Sequence, residues 1–279
     1  MSPRERKGIM LAHPMTDRKL APFIQEGKFF LQPKLNGERC RVEWFHSEPI
    51  LFSSTGLEIP FLPRIKKALE PYQGVDWDGE LYVHGQSRDW IASIVSRKKN
   101  PHPEEDKMQF WIFDYVNFDE VQALRISKLG REHFESPLHL VPTHIATPPQ
   151  IIPFTNHYLA EGYEGVILRH PYGFYETSRS NAMLKYKPTE KDEYPILEVI
   201  EAVSQEGDKK GMVGAFRVLS QGKDIFKVSA GKIPHSERKL IWENRKDIVG
   251  KILEVKHEKI KTGANGVPVS CIAVKVKMQ

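Results

Sequence analysis

The chain has 279 residues, enough for two domains or one large one, and 40% of them are hydrophobic, which supports a substantial core. No run of 18 apolar residues occurs, so we expect no membrane-spanning helix and no membrane partner. The basic start at Arg4, Arg6 and Lys7 has no apolar stretch behind it and is unlike a secretory signal. Cys40 and Cys271 lack metal-ligand spacing and indicate reduced thiols. Reduced thiols fit the cytoplasm, with a bacterial or viral source assumed, or the nucleus if the source is eukaryotic. We also expect a monomer.

The first half of the chain alternates between strand-like and helix-like patterns. Residues 1–30 contain Pro14 and Pro22 and predict an irregular leading segment. Alternating apolar residues near Phe29 and over 39–45 predict two strands around a turn at Lys34. Further elements are predicted farther along the chain: helices over 61–72, 88–97 and 119–136, a buried strand over 108–116, and a proline-rich loop with short extended pieces over 137–153.

The pattern changes after Pro188. Five segments with period-two alternation follow, and a helical patch over 236–244 lies between the third and fourth of them; the segments are 196–203, 213–219, 224–228, 251–257 and 269–277. Five short strands with a helix after the third fit a small barrel of the oligonucleotide-binding (OB) type. This region has 17 Lys and Arg against 13 Asp and Glu, and so carries +4 of the formal net charge of +5. A basic excess on a small domain suits a polyanionic partner.

Five short motifs carry the candidate chemistry. They are, in chain order, Lys34-Leu35-Asn36-Gly37 with Arg39 just behind it, Asp78-Gly79-Glu80-Leu81, Phe110 to Tyr115, Glu164 to Arg169, and Leu184-Lys185-Tyr186-Lys187. Each motif by itself is weak, because such short strings occur by chance in many proteins. Their joint occurrence in this order is a specific signal.

Lys34 is the candidate nucleophile. An amine that attacks a phosphoryl group must be deprotonated, close and in line with the leaving group, and the rest of the catalysis is positioning and charge neutralisation. Lys185 and Lys187 stand at alternate positions of a predicted short strand, so both side chains are expected on one face, where they could bind an α-phosphate.

Three further residues suit a nucleotide. Glu164, at the opening of a predicted strand, could hold a magnesium ion, which takes one or two carboxylates together with phosphate oxygens. Glu80 could accept hydrogen bonds from ribose hydroxyls. Phe113 offers a ring face to a purine, although core packing is the ordinary fate of such a residue in an apolar run.

The order and spacing of these motifs resemble the covalent nucleotidyltransferase superfamily, which comprises ATP-dependent DNA ligases, RNA ligases and mRNA capping enzymes. Small viral and bacterial ATP-dependent DNA ligases are the most similar, and the likeness runs from about Leu11 to Val276. The resemblance implies an α+β fold: a nucleotidyltransferase (adenylation) domain of antiparallel sheets with flanking helices over 1–188, followed by a five-stranded OB-fold β-barrel over 189–279.

The resemblance also implies a role for each matching residue. Lys34 is similar to the lysine that forms lysyl-AMP, and Arg39 to the arginine that helps to bind the nucleotide or the nick phosphate. The remaining matches are Gln32 with the adenine amine, Glu80 with ribose, Phe113 with the adenine ring, Glu164 with the metal, and Lys185 and Lys187 with the α-phosphate.

Two departures from the family pattern stand out. DNA ligases usually have Asp where this chain has Asn36, and the loss of this charge is expected to alter reactivity without abolishing it. The family's final motif pairs a basic residue with an acidic one, whereas this chain has Lys275 and Lys277 with no acidic residue after them. We therefore expect slow self-adenylylation, or assistance from other residues.

The implied activity is ATP-dependent sealing of nicked duplex DNA through a covalent lysyl-AMP, with Mg²⁺ as cofactor. ATP is expected rather than NAD⁺, because nothing ahead of Lys34 could form a nicotinamide-binding domain. Asn36 keeps an RNA ligase open as an alternative. A capping guanylyltransferase is a second alternative, and a catalytically inactive nucleic-acid-binding relative is a third.

Overall fold

The computed structural model describes residues 8–204, 206–258, 261–262, 267–268 and 270–277. The chain divides into two compact units, one ending at Tyr186 and the other beginning at Lys187. Within the described residues, no helix is both long enough and apolar enough to cross a membrane.

The first unit contains ten strands and five α-helices within the described residues. In chain order they are β1 (Leu11–Pro14), α1 (Asp17–Glu26), β2 (Phe29–Pro33), β3 (Glu38–Phe45), β4 (Glu48–Ser53), α2 (Pro63–Leu69), β5 (Trp77–Tyr82), α3 (Arg88–Val95), β6 (Gln109–Tyr115), α4 (Gln122–Leu129), β7 (Leu138–Leu140), β8 (His144–Ala146), α5 (Ile151–Ala160), β9 (Val166–Arg169) and β10 (Arg179–Tyr186). Three single 3₁₀ turns cover Glu70–Tyr72, Glu105–Lys107 and Pro148–Gln150.

These strands form two five-stranded sheets. The first sheet has the order β1-β10-β9-β2-β8 and the second has the order β4-β3-β5-β6-β7. Neighbouring strands are antiparallel except for β1 with β10 and β6 with β7, which are parallel. The α+β class is therefore confirmed, and the prediction of antiparallel sheets is wrong only for these two pairs at the sheet edges.

Each sheet has its own apolar core. The core of the first sheet combines Phe29 and Leu31 of β2 with Phe23 of α1 and Tyr158 of α5. The core of the second sheet is larger and joins strand residues to α2 and α3; its members include Val42, Leu51, Ile65, Leu81, Ile91 and Ile112. Leu35, which lies between β2 and β3, packs into this second core and so fixes the turn that contains Lys34.

The prediction of an irregular segment over residues 1–30 is wrong for its described part. Helix α1 forms despite Pro22, because Thr16 caps its first turn by accepting a hydrogen bond from the Lys19 N–H. Gly27 ends the helix in the left-handed conformation, with φ 80°. Phe23, which is fully buried, anchors the helix to the first sheet.

Two other boundaries differ from the predicted ones. Helix α4 ends at Leu129, well before the predicted end at residue 136. Helix α5 begins at Ile151, inside the segment predicted as loop, directly after a 3₁₀ turn capped by Thr147.

The second unit contains seven strands and two α-helices within the described residues. They are β11 (Thr189–Val203), β12 (Lys209–Leu219), β13 (Ile225–Ser229), α6 (His235–Glu243), α7 (Arg245–Ile248), β14 (Ile252–Glu258), β15 (Lys261–Thr262), β16 (Val267–Pro268) and β17 (Ile272–Lys277).

Five of these strands pair in a circuit. β11 pairs with β12 and with β14, β12 pairs with β13, and β17 pairs with both β13 and β14. An apolar core fills the inside of this unit; its members include Ile196, Val213, Phe216 and Val255. Helix α6 lies between the third and fourth strands of the circuit, as the sequence predicts. Val269, the predicted start of the last strand, lies outside the described residues.

Candidate active site

The turn that carries Lys34 continues the pairing of β2 with β9. The backbone N–H of Lys34 donates to Gly165 O at 2.8 Å, and the N–H of Glu164 donates to Lys34 O at 3.1 Å. These bonds extend a ladder in which Pro33 pairs with Val166. The segments of Lys34 and Glu164, 130 residues apart in sequence, are therefore held side by side by backbone geometry.

Gly37 is required where the turn enters β3. A Cβ atom at this position would lie 2.2 Å from the backbone oxygen of Leu81 and 2.8 Å from Cγ of Glu80. Only a residue without a side chain fits so close to β5. This contact brings the Lys34 turn against the strand that carries Glu80.

The side chains of Lys34 and Glu164 form an ion pair, with Lys34 Nζ donating to Glu164 Oε2. Nζ also donates to its neighbour Leu35 O at 3.3 Å. Lys34 is 21% exposed and Glu164 is 8% exposed, so the amine remains reachable from solvent while its partner is buried. An ammonium bonded in this way has no lone pair for attack, and its proton must leave before Nζ can act as a nucleophile.

Glu80 is the carboxylate whose protonation the site perturbs most clearly. It lies in β5, where it pairs with Arg39 of β3. The pKa of Glu80 is raised to about 7, chiefly because the carboxyl is desolvated; the charges of Lys34 and Arg39 oppose this rise and the charge of Glu164 adds to it. The four charged groups therefore lie close enough to influence one another.

Phe113 is displaced from the regular pairing of β6 by a β-bulge. Asp78 pairs with Asp114 and Gly79 pairs with Ile112, so Phe113 is the extra residue between them. Bulges commonly re-aim a side chain next to an active site. The Phe113 ring has the guanidinium carbon of Arg39 at 4.6 Å and that of Arg169 at 5.1 Å from its centroid. These two cations already contact the aromatic ring predicted to stack on a purine.

Arg39 is held by Asp78 rather than left mobile. Its Nε donates to Asp78 Oδ1 at 2.6 Å, and its Nη2 donates to Met10 O at 3.2 Å. Burial lowers the pKa of Arg39, but the bonded Asp78 carboxylate more than reverses this, and the net shift is upward. Tyr175 donates to the same carboxylate, at 2.7 Å from Asp78 Oδ2.

Gln32 is buried, with 1% of its surface exposed, and its side chain is bonded on both ends. Its Nε2 donates to Phe113 O at 3.3 Å and to Thr143 Oγ1 at 2.9 Å. Its Oε1 accepts a hydrogen bond from Arg169 Nε at 2.7 Å. The amide is therefore fixed in one orientation next to the backbone of Phe113.

The two predicted phosphate lysines belong to different units. Lys185 lies in β10 opposite Ile167 of β9, and Ile167 in turn pairs with Gln32 of β2. Directly paired residues point to one face of a sheet, so Lys185 shares a face with Gln32. Lys187 follows the end of β10 and belongs to the second unit, where its Nζ bonds Glu258 Oε1 at 3.3 Å. The expectation that both lysines stand at alternate positions of one strand is wrong, because β10 ends at Tyr186.

A buried polar cluster behind the site was not predicted as part of it. Asp114 accepts hydrogen bonds from Arg125 Nε at 2.8 Å and Arg169 Nη1 at 2.9 Å, and all three residues are almost fully buried. Gln122 Oε1 accepts from both of these arginines, at 2.8 and 3.2 Å. The sequence signal was present: Gln122, Arg125 and Leu129 share the buried face of α4, and an arginine at an otherwise apolar spacing indicates a buried ion pair.

The described residues contain no group of three or more His, Cys, Asp or Glu side chains arranged to hold a metal ion. A magnesium ion needs fewer protein ligands than that, since it commonly takes one or two carboxylates and completes its shell with phosphate oxygens and water. Glu164 and Glu80 supply oxygen ligands of this kind. The donor set therefore fits a magnesium ion that arrives with a nucleotide.

Several solved structures of DNA ligases share this fold. A structure of a Lig E DNA ligase, described as DNA binding with a minimal scaffold, superimposes with a TM-score of 0.78 at 23% identity, covering 97% of this chain and 99% of that one. An ATP-dependent DNA ligase from bacteriophage T7, solved as a complex with ATP, gives a TM-score of 0.57 at 15% identity over 96% of this chain and 98% of that one. At these identities the likeness establishes the fold, which is that of the DNA ligases.

The sequence itself establishes the family. A DNA ligase of African swine fever virus is 25% identical over an alignment of 278 positions, which covers 90% of this chain and 64% of the viral protein. The chain thus spans 64% of the length of this relative. The model of the ATP dependent DNA ligase domain matches residues 9–187, and the chain belongs to this family.

Proposed function

We propose that this chain is an ATP-dependent DNA ligase that seals nicks in duplex DNA through a lysyl-AMP intermediate on Lys34. The observation that carries the proposal is the ion pair of Lys34 with Glu164, near enough to the half-buried Glu80 for the charges to interact, in a ligase fold. The Lys34 amine is bonded to one carboxylate and its charge acts on a second, and Lys185 shares a sheet face with Gln32; this set is suited to capture a nucleotide phosphate.

The proposed reaction has three steps. Lys34 Nζ, after losing its proton, attacks the α-phosphorus of ATP; an N–P bond forms while the P–O bond to the β-phosphate breaks, and pyrophosphate leaves. The 5′-phosphate at a nick then attacks the lysyl-AMP; a P–O–P bond forms, the N–P bond breaks, and Lys34 Nζ takes up a proton as it leaves. Finally the neighbouring 3′-hydroxyl attacks the 5′-phosphate, gives up its proton, and expels AMP. Positioning and charge neutralisation supply most of the catalysis.

The other site residues serve binding in this proposal. Glu80 accepts hydrogen bonds from the ribose, and Phe113 contacts the adenine ring. Arg39 binds the nucleotide or the nick phosphate. Lys185 and Lys187 contact the α-phosphate.

Carboxylates would bind the magnesium ion. Glu164 would hold it, and the nearby Glu80 carboxylate would add negative charge at the site. The bound ion would neutralise phosphate charge. Glu164 would also take up the proton that leaves Lys34, because the two groups are already bonded.

The proposed domain division places the nucleotidyltransferase domain at 1–188 and an OB-fold domain at 189–279. The circuit of five paired strands with α6 between the third and fourth supports an OB-type β-barrel for the second unit. Its basic excess supports nicked duplex DNA as the partner, bound by a monomer with strong salt dependence.

A sealing assay tests the proposal. Wild-type protein with ATP and Mg²⁺ is expected to join nicked duplex DNA, while Lys34→Arg, which keeps the charge, is expected to be inactive. Lys28→Arg, at an exposed position outside the site, serves as the matched control and should seal normally. Preferential joining of single-stranded RNA would instead favour an RNA ligase, and labelling by GTP rather than ATP would favour a guanylyltransferase. DNA binding without any covalent adduct would indicate the inactive relative.

A further inference from the structure

The Gln32 side chain has almost no unused hydrogen-bonding capacity. A primary amide carries two N–H donors and a carbonyl oxygen with two lone pairs. Both donors of Gln32 are taken, one by Phe113 O and the other by Thr143 Oγ1. One lone pair of Oε1 is taken by Arg169 Nε. What remains is a single acceptor.

The neighbours of this amide also prevent it from turning over. A flipped amide would direct Oε1 at the carbonyl oxygen of Phe113 and Nε2 at the N–H groups of Arg169. An acceptor would then face an acceptor at Phe113, and a donor would face a donor at Arg169. In a buried site each such mismatch loses a hydrogen bond that water cannot replace. Arg169 cannot turn away to relieve the clash, because Asp114 and Gln122 bind its Nη1 at 2.9 and 3.2 Å.

We propose that Arg169 is a positioning residue that sets purine selectivity, by locking Gln32 so that it offers only an acceptor to the base. A lone acceptor matches the 6-amino group of adenine, which donates, and opposes the 6-oxo group of guanine or hypoxanthine, which accepts. This inference rests on the proposed function and goes beyond it by naming the residue that enforces the choice of ATP. Gln32 is buried, and its amide is bonded to the backbone of Phe113, whose ring is proposed to contact adenine.

Thr143 also helps to fix the orientation of the Gln32 amide. It accepts from Gln32 Nε2 at 2.9 Å and donates to Val141 O at 3.1 Å, so its hydroxyl is itself oriented. Thr143 is half-buried and lies outside the cluster around Asp114, which makes it replaceable without disturbing that cluster. Two independent positions therefore bear on the same amide.

The test measures covalent labelling of the protein by ATP and by ITP. These nucleotides differ at the base only by the 6-amino against the 6-oxo group and the accompanying N1 proton, so their ratio isolates the proposed contact. Labelling efficiency, kcat/KM, is determined for wild type, Arg169→Met, Arg169→Lys and Thr143→Val. Arg18→Met, at an exposed position on α1, is the matched control.

We expect wild type and Arg18→Met to prefer ATP. Arg169→Met and Thr143→Val should each lower the ratio of ATP to ITP efficiency by about tenfold, the effect of one hydrogen bond to a charged or buried group. Arg169→Lys should recover part of the ratio, because its ammonium can still donate to Oε1.

Two outcomes would overturn the inference. If Arg169→Met and Thr143→Val lower labelling by ATP and by ITP equally, the two residues only support the fold, and the inference fails while the proposed function stands. If wild type forms no adduct with any nucleotide, the proposed function fails and this inference falls with it.

Discussion

Lys34 and Glu164 are joined twice: their side chains form an ion pair, and the N–H of Glu164 donates to the carbonyl oxygen of Lys34 at 3.1 Å. The backbone bond holds the two segments next to each other, so that the two side chains start from neighbouring positions. A buried carboxylate that is bonded to the candidate nucleophile can orient it, accept its proton and bind a metal. This one relationship underlies the proposed activity.

Glu164→Gln removes the negative charge at this position and keeps the shape of the side chain. The amide can still accept a hydrogen bond from Lys34, so the folded structure should be retained and the melting temperature should change little. Lysyl-AMP formation is expected to fall about 100-fold, because the variant loses both the proton acceptor and the metal ligand. Single-turnover labelling with ATP measures this. A variant that labels as fast as wild type would show that Glu164 has only a structural part.

Gly37→Ala is expected to destabilise the protein by about 1–3 kcal/mol and to lower labelling, because the added Cβ would collide with Leu81 O and displace the Lys34 turn. Urea unfolding measures the free energy. Gly231→Ala is the matched control, since its nearest neighbour, Ser229 Oγ, is at an ordinary contact distance of 3.5 Å. Equal stability of the two variants would show that the turn can move away from β5 at no cost.

Glu80→Gln should change how stability depends on pH. The pKa of Glu80 is raised from 4.5 to about 7 in the folded protein, so between these values the folded state binds more protons than the unfolded state. Stability from this group is therefore present below pH 4.5 and is lost as pH rises through 7. The Glu80→Gln variant cannot ionise at this position, so its free energy of unfolding does not decrease for this reason.

Urea unfolding at pH 5 and pH 8 tests the prediction. The stability of Glu80→Gln relative to wild type is expected to increase between these pH values, by on the order of 2 kcal/mol. Other carboxyl groups titrate in both proteins and cancel in the difference. A difference that is the same at both pH values would contradict the raised pKa.

Asp114→Asn tests the buried cluster behind the site. Asp114 is the carboxylate shared by Arg125 and Arg169, and all three side chains are at most 3% exposed. Removing its charge leaves two buried guanidinium groups without an anion and should cost about 3–5 kcal/mol. Arg217→Met, which breaks the exposed pair with Glu198, should cost less than about 1 kcal/mol. Comparable losses in the two variants would refute the assignment of Asp114 as the anchor of the cluster.

Local patterns predicted much of the fold, because apolar period and turn chemistry act over a few residues. The strands around Lys34, the strand of Phe113 and the helix before β14 follow from such patterns. Helix α1 was missed because Pro22 outweighed the capping residues Thr16 and Gly27 in the prediction. The end of β10 ahead of Lys187 was missed because a strand boundary leaves no mark in an alternating sequence.

The site was predictable as a set of residue types but not as a set of contacts. The motifs singled out Lys34, Glu80 and Glu164 as candidates, and the structure brings these three charged groups near one another. They did not reveal that Gln32 is bonded by Arg169, since that contact joins residues 137 positions apart. They also could not reveal the bulge at Phe113, because a bulge is a property of two paired strands and not of one.

The most direct test of the account is to locate the adduct. Protein incubated with ATP and Mg²⁺ is digested, and the peptides are sequenced by mass spectrometry under conditions that preserve phosphoramidate bonds. We predict a single AMP on the Nζ of Lys34, absent from Lys34→Arg and removed when nicked DNA is added. AMP attached to another residue, or no adduct together with failure to seal nicks that are already adenylylated, would contradict the account.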